Sequence, residues 1–480
     1  MTGERENESV ALAGPAPGRM ATLWTDFRLA ARGTRHDYTA GSLGRAIFLL
    51  AVPMVLEMLM ESLFAVCDVF FVAHLGATAV ATIGLTESVM ILVYTVAVGL
   101  SIPATAFVAR RIGEKDPEGA ARSAVQAIAL GVIVSFTLAT VFSLLAPWLL
   151  RTMGADPEVI AGGSMFARVM LAGSPTAFIL FSINASFRGA GDAAVAMRVL
   201  WLANGINIVL GPMLIFGPGP FPALGVTGAA IATTIGRGTG VLFALSRLAK
   251  GSGHLRVERK HLELQPATMW QMVRMSGSAT FQVFVGSTSW IGLIRIMSSF
   301  GSIAMAGYTI CIRIVLFALL PAWGLANAAA TMVGQSLGAK DPDRASRAVA
   351  AAARYNVMFL GSMGALFALF APLIIGAFTS DVAVQPVAIF GLRAIAIGFP
   401  FFAYGMVHAQ AFNGAGDTWT PTRINIAVFW LFEIPLAWIL AERAGLTYRG
   451  VFLAVLVAYT VFAIVSTVLF RRGHWRVVKV

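Results

Sequence analysis

The sequence predicts an all-α polytopic membrane protein, twelve transmembrane helices in two six-helix repeats. Three observations carry this. Only 12% of the 480 residues are charged, while 58% belong to the apolar set, too few charges to cover a water-soluble surface of that size. Apolar runs follow one another from about Arg45 to Arg471, and a transmembrane helix needs only ~20 such residues. The second half of the chain repeats the first at a shift of 225 residues, the kind of self-similarity that marks a duplicated architecture.

Taken in order, the first 42 residues are polar, of mixed charge, and hold a Gly-Pro-Ala-Pro stretch. Met1–Arg19 reads as a disordered cytoplasmic tail and Leu23–Arg35 as a short interfacial helix with Trp24 and Phe27 at the lipid boundary. No apolar core follows a basic start, so no cleavable signal peptide is expected. Turn signals and charged breaks then delimit spans at 43–75, 79–113, 117–151, 158–188, 192–217 and 222–249. The second set lies at 266–300, 304–338, 342–376, 383–413, 417–441 and 446–471. This gives a cytoplasmic N-terminal tail (1–42), an N-lobe (43–249), a basic cytoplasmic linker (250–265), a C-lobe (266–471) and a cytoplasmic tail (472–480).

Lys and Arg in short loops set the orientation. With the N-terminus inside, the cytoplasmic segments hold Arg110, Arg111, Lys115, Arg122, Arg188, Arg247, Lys250, Lys340 and Arg344 among others, while the outer loops offer Arg151, Arg443 and Arg449. Both termini are expected in the cytoplasm, in what resembles a bacterial inner-membrane protein. The net charge of +12 belongs to these loops, and no nucleic-acid partner is expected. Cys67 and Cys311 both fall inside apolar runs, which rules out a disulfide scaffold.

The repeat is seen in its motifs. Gly113-Glu114-Lys115-Asp116-Pro117 returns as Gly338-Ala339-Lys340-Asp341-Pro342, and Phe187-Arg188-Gly189-Ala190-Gly191-Asp192 as Phe412-Asn413-Gly414-Ala415-Gly416-Asp417. The same shift pairs Gly99 with Gly324, Pro147 with Pro372, Arg168 with Arg393 and Gly225 with Gly450, with no gap. Asp116 and Asp341 suit helix N-caps, with proline in the first helical position and an acid next to favour the positive dipole end. The Gly-Ala-Gly-Asp segments read as tight turns. Neither motif ends in Gly-Lys-Ser/Thr, so an ATP-driven pump gains no support. An even number of spans per repeat relates the halves by an axis along the membrane normal, with a cleft between them.

Acids inside a bilayer are costly and point to function. The first span holds Glu57, Glu61 and Asp68; at ~100° per residue, spacings of four and seven bring them within about 40° of one face. Mutual repulsion suits such a stripe to proton exchange; the alternative for Glu57 and Glu61 is buried hydrogen bonding between helices. The shifted positions hold Gln282, Gly286 and Leu293, so the architecture alone does not require the stripe. Asn204 and Asn207 lie three apart on the fifth span and could share a face turned toward Asp68; the alternative is that these amides simply bridge helices. In the second half Gln282, Tyr308, His408 and Gln410 are candidates for substrate contact, and Arg295, Arg313 and Glu433 for the cleft or for pairs between lobes. Arg168 and Arg393 occupy equivalent places, which favours a structural role. No cluster has metal-ligand spacing and no cofactor is expected.

Three segments resemble the multidrug and toxic compound extrusion (MATE) family. Pro53 followed by Asp68-Val69-Phe70-Phe71-Val72-Ala73-His74-Leu75-Gly76 is similar to its first helix and exit loop; Arg188-Gly189-Ala190-Gly191-Asp192 to its fourth-to-fifth connection; Asn207-Ile208-Val209-Leu210-Gly211-Pro212 to its fifth-helix motif. The resemblance covers roughly Leu43 to Arg471. It implies V-shaped lobes and a monomer that exports organic cations against inward flow of protons or sodium ions. It also implies an ion-coupling role for Asp68 with Asn207, and matches Asn184 to an asparagine of the fourth helix. Gly211 stands where the family often has an acid, which departs from a two-carboxylate sodium cage and points to protons. A lipid-linked precursor flippase of the same superfamily is the alternative, through Arg295, Arg313 and Arg393. The major facilitator fold differs in its glycine and arginine pattern between the second and third spans. An intramembrane enzyme lacks a nucleophile–base constellation.

Overall fold

Hydrocarbon offers a backbone no hydrogen-bond partner, so a chain crossing it satisfies its N–H and C=O groups within helices. The computed structural model describes residues 19–33, 36–75, 77–251 and 253–478, and the regular structure among them is helical. The twelve spans are Leu43–Ala73, Ala77–Gly113, Pro117–Leu144, Pro157–Ala190, Ala193–Phe216, Val226–Lys250, Pro266–Ser298, Gly301–Gly338, Pro342–Phe378, Gln385–Ala415, Trp419–Arg443 and Tyr448–Arg471. Eleven are long and apolar enough to cross a membrane. The seventh is a 33-residue helix that is less apolar because Gln271, Arg274, Gln282, Arg295 and several Ser and Thr lie along it. A further helix, Arg19–Arg32, precedes them. The tail expected over Met1–Arg19 lies, except for Arg19, outside the described residues. At the other end the expected tail is partly packed: Trp475 is fully buried, stacks on Phe470 and donates Nε1–H to its carbonyl at 2.9 Å.

The repeated motifs do what their chemistry predicts. Asp116 Oδ1 accepts the Gly119 amide and Asp341 Oδ1 the Arg344 amide, both at 2.8 Å, each capping the helix opened by the following proline. Lys115 and Lys340, at φ 60° and 61°, make the same left-handed turn. The expected span at 117–151 is broken in two. Leu145 leaves the helix at φ −86°, ψ 1°, two residues before Pro147, and a short helix Ala146–Thr152 follows. Phe370 breaks the ninth span in the same way two residues before Pro372, at φ −100°, ψ 16°. In both cases the ring removes a donor and crowds the preceding turn.

One expectation is corrected. The repeat is not free of gaps, and Gly450 is not the counterpart of Gly225. Gly228 packs its bare Cα against the backbone of Leu214 and Ile215, and Gly450 does so against Leu440 and Ala441: an offset of 226 on one helix and 222 on the other. The loop hydrogen bonds agree, with Leu224 N–H donating to Leu214 O and Leu446 N–H to Leu440 O. The extra residue enters through a π-helical segment, Ile426–Glu433, in the eleventh span, since each π turn takes up one more residue than an α turn. The connection to the twelfth span is four residues shorter. The twelfth span keeps the 222 offset along its length: Gly173 meets Thr234 where Gly398 meets Leu456, and Leu180 meets Gly240 where Gly405 meets Phe462.

The halves are joined by reciprocal contacts. Gly99 of the second span lies against Thr280 of the seventh, and Gly324 of the eighth lies against Met54 and Val55 of the first. Gly113 abuts the Gln335 carbonyl, and Gly338 abuts that of Arg110. Each pair maps onto the other under the 225 shift, the signature of a pseudo-twofold axis. These are helix crossings at backbone distance, where small residues permit close packing.

At the end that carries the basic loops the halves are also tied by polar contacts. Gln335 Nε2 donates to Gly189 O at 2.9 Å and Thr331 Oγ1 to Arg188 O at 3.1 Å. The segment before the first span bridges both halves. Asp37 pairs with Lys115 at 2.7 Å, Tyr38 Oη donates to Gly191 O, and the Arg344 guanidinium donates to the carbonyls of Tyr38, Ala40 and Gly41. The described residues between the sixth and seventh spans are hydrogen-bonded to the first half. The His254 and Leu255 amides donate to Asp192 Oδ2, His261 and Lys260 reach Glu118, and Gln126 brackets Glu263 and Gln265.

Candidate functional site

The three acids of the first span meet three different surroundings. Glu57 is buried, and its Oε1 accepts Arg188 Nη1 at 2.7 Å; this arginine ends the fourth span beside the glycine turn. One turn on, Glu61 Oε2 accepts Asn204 Nδ2 of the fifth span at 3.0 Å. Asp68, two turns further, is half-buried and makes no hydrogen bond or ion pair with a described residue.

A cation that sequence reasoning passed over completes the group. Arg237 on the sixth span donates to the Tyr94 hydroxyl of the second and lies 5.1 Å from its ring centroid. The charges of Glu61 and Asp68 both act on it, and it is the charged group that acts on Asp68. Glu87 on the second span faces Asp68 in turn, together with Arg313 of the eighth. The signal in the sequence was an arginine between Gly236 and Gly238, well inside a span whose other basic residues, Arg247 and Lys250, lie in its last turn; an intramembrane cation calls for a counter-charge.

Asn207 lies beside this group, its Nδ2 donating to Thr233 Oγ1 at 2.7 Å. A side chain at Gly211 would have Asn207 Oδ1 as its nearest neighbour, at 3.8 Å from its Cβ. Asn184 is buried with Oδ1 unpaired, one turn from Arg188 and toward the basic end, so the structure does not bring it to Asp68.

The four substrate candidates of the second half do not gather. Tyr308 is buried against Phe452, near the end of its helix remote from the basic loops. His408 packs between Tyr404 and Phe470, its Nδ1 against the Tyr404 carbonyl at 2.8 Å. Gln410 Oε1 accepts Asn413 Nδ2 at 2.8 Å near the basic end. Gln282 is half-buried with Oε1 unpaired. The arginines are dispersed as well: Arg295, Arg313 and Arg393 are exposed, and Arg393 donates to Ala368 O.

What this arrangement can do is bind and release a small cation. Asp68 and Glu87 have no hydrogen-bond or ion-pair partner among the described residues, a neighbouring cation is fixed by a tyrosine, and of the two amides Asn204 engages the Glu61 carboxylate while Asn207 engages Thr233. Against known proteins, the family model described as MatE matches residues 53–213 and 279–439. The "Probable multidrug resistance protein NorM" of Thermotoga maritima is 26% identical over 436 residues, covering 89% of this chain and 92% of that protein. The "Probable multidrug resistance protein YoeA" of Bacillus subtilis is 25% identical over 424 residues, with 88% and 92% covered. The solved structure titled "Outward-facing conformation of a multidrug resistance MATE family transporter of the MOP superfamily" superposes with a TM-score of 0.85 at 26% identity, over 91% of this chain and 96% of that one.

Proposed function

As the chain belongs to the MatE family, an integral membrane transporter family, we propose that it exports amphiphilic organic cations in exchange for protons, with Asp68 as the coupling carboxyl. The observation that carries this reading is the pairing pattern of the first span. Glu57 is neutralised by Arg188 and Glu61 is engaged by Asn204, while Asp68 is left without a partner within reach of Arg237. A group that must exchange a proton is one not already held by a permanent ion pair.

Protons are favoured over sodium because the position on the fifth span that would supply a second carboxylate is Gly211. Sodium prefers several converging oxygens. Arg237 gives Asp68 an internal counter-charge when it is ionised. Protonation of Asp68 removes that attraction and lets the helices repack, shifting the equilibrium between conformations. With the basic loops in the cytoplasm, as their charge requires, the contacts at the basic end close the protein inward. Among the described residues Arg295, Arg313 and Arg393 stand apart on three different spans, which does not favour the flippase reading. The protein acts as a monomeric carrier, without a cofactor and without bond-making chemistry.

The test is transport in proteoliposomes. Export of a cationic dye should follow an imposed proton gradient and survive replacement of sodium by choline, and Asp68→Asn should abolish it with expression intact. Collapse of export in choline while the proton gradient persists excludes proton coupling, and full gradient-driven export by Asp68→Asn excludes Asp68.

A further inference from the structure

The π-helical segment of the eleventh span alters what the second half presents. Under the 225 shift Glu433 is the counterpart of Ile208. After the extra residue the offset is 226, fixed by the Leu214/Leu440 and Ile215/Ala441 contacts, and Glu433 takes the place that Asn207 has in the first half. The buried positions agree: Ala203, Asn207 and Gly211 on the fifth span, Val428, Glu433 and Ala437 on the eleventh. With the 222 offset of the twelfth span, Val455 stands where Thr233 is, and Tyr459 where Arg237 is. The same two-helix frame thus holds Asn, Thr and Arg in one half, and Glu, Val and Tyr in the other.

The substitution leaves Glu433 in an unusual state. It is 3% exposed and has no hydrogen-bond or ion-pair partner among the described residues, because valine has replaced the threonine that serves Asn207. The ionisable groups whose charge couples to this carboxyl are Tyr308 of the eighth span and Tyr459 of the twelfth, with the Cys311 thiol beside them. Both phenolic oxygens are buried without hydrogen-bond partners among the described residues. Among the described residues no lysine, arginine or histidine forms an ion pair with Glu433; Arg274 and Arg295 of the adjoining seventh span are exposed. Three buried polar side chains whose charges act on one another, none with a partner among the described residues, amount to a site, since native interiors rarely leave such groups unmatched.

We propose that Glu433, with the hydroxyls of Tyr308 and Tyr459, forms a second proton-binding site, in the C-terminal half, that loads and unloads as that half repacks. An ionised carboxylate lacking any counter-charge at this depth costs several kcal/mol, so in this conformation Glu433 holds its proton. Movement of the eleventh or twelfth span that admits water releases it. The phenols, donors without acceptors here, stabilise the carboxylate formed. The site rests on the reading of the protein as a proton-coupled carrier, but its occupancy is measurable apart from transport.

The experiment uses the full-length protein in nanodiscs and in proteoliposomes. N,N′-dicyclohexylcarbodiimide modifies protonated carboxyls in apolar surroundings. Peptide mass spectrometry should find it on Glu433, with labelling falling about tenfold per pH unit above a midpoint, while Glu57, paired with Arg188, stays unlabelled. Tyr459→Phe should move that midpoint, which a merely structural glutamate would not show. In proteoliposomes Glu433→Gln should lower the number of protons exchanged per substrate. No label on Glu433 between about pH 5 and 9, or an unchanged proton count in a folded Glu433→Gln protein, overturns the proposal. If Asp68→Asn leaves proton-driven export intact while the Glu433 label titrates, the Asp68 reading fails and this site stands.

Discussion

Glu57 and Arg188 show at the scale of single residues how a buried charge is kept. Neither is tolerable alone where it lies: Glu57 has 2% of its side chain exposed and Arg188 12%, and the pair is bonded at one carboxylate oxygen only. Removing one member strands the other, so Arg188→Met should destabilise the protein by about 3–5 kcal/mol. The double variant Glu57→Gln, Arg188→Met should recover most of the loss, because two neutral groups need no counter-charge. Thermal unfolding of the single and double variants in detergent measures this; a double variant no more stable than the single shows that the ion pair is not what Arg188 supplies. Asp68 is governed by the opposite condition, the lack of a hydrogen-bond or ion-pair partner among the described residues, which is the ground on which it is proposed as the coupling carboxyl.

Among the elements, the segment from Asp37 to Gly41 is short but well tied. Hydrogen bonds from Lys115 and Thr39 outweigh the upward push of partial burial and hold the Asp37 carboxyl down at about 2. A depressed carboxyl contributes stability that is complete above its ordinary value of ~3.9 and is lost only as the pH falls through about 2. This tie is therefore constant over the physiological range, and closure at the basic end is not gated by Asp37. Arg344→Ala removes the fork that gathers the carbonyls of Tyr38, Ala40 and Gly41. Amide exchange over 38–41 should quicken by about tenfold or more, and equally at about pH 6 and pH 8. Unchanged protection would mean that Lys115 and Gly191 suffice to hold the segment.

At the scale of the whole molecule the two halves meet at reciprocal glycine crossings. At the basic end Gly113 and Gly338 let helices approach to backbone distance, and a methyl group at either meets a carbonyl of the opposite half. Gly113→Ala with Gly338→Ala should therefore disfavour closure there. With Cys67 and Cys311 replaced by alanine, a cysteine at Ser336, fully buried in this conformation, should react with a maleimide at least about tenfold faster in the double variant. Export should slow in step. Equal reactivity would mean that the halves part elsewhere.

The sequence by itself determined the twelve helices, the pairing of two repeats, the caps at Asp116 and Asp341 and the acidic face of the first span. Each of these follows from local chemistry: apolar length, the missing N–H of proline, a carboxylate at a helix start, and helical periodicity. Only the tertiary structure decided which acids are paired. Arg188 and Asn204 lie more than a hundred residues from Glu57 and Glu61, and nothing in their own neighbourhoods names a partner. The tertiary structure also decided the register of the last two spans. Ile426-Ala427-Val428-Phe429-Trp430-Leu431-Phe432 is apolar whether it winds as an α- or a π-helix, and an apolar run carries no periodic mark of one inserted residue. The packing of Gly450 on Leu440 and Ala441 and the hydrogen bonds of the following loop reveal it, and with it the place of Glu433.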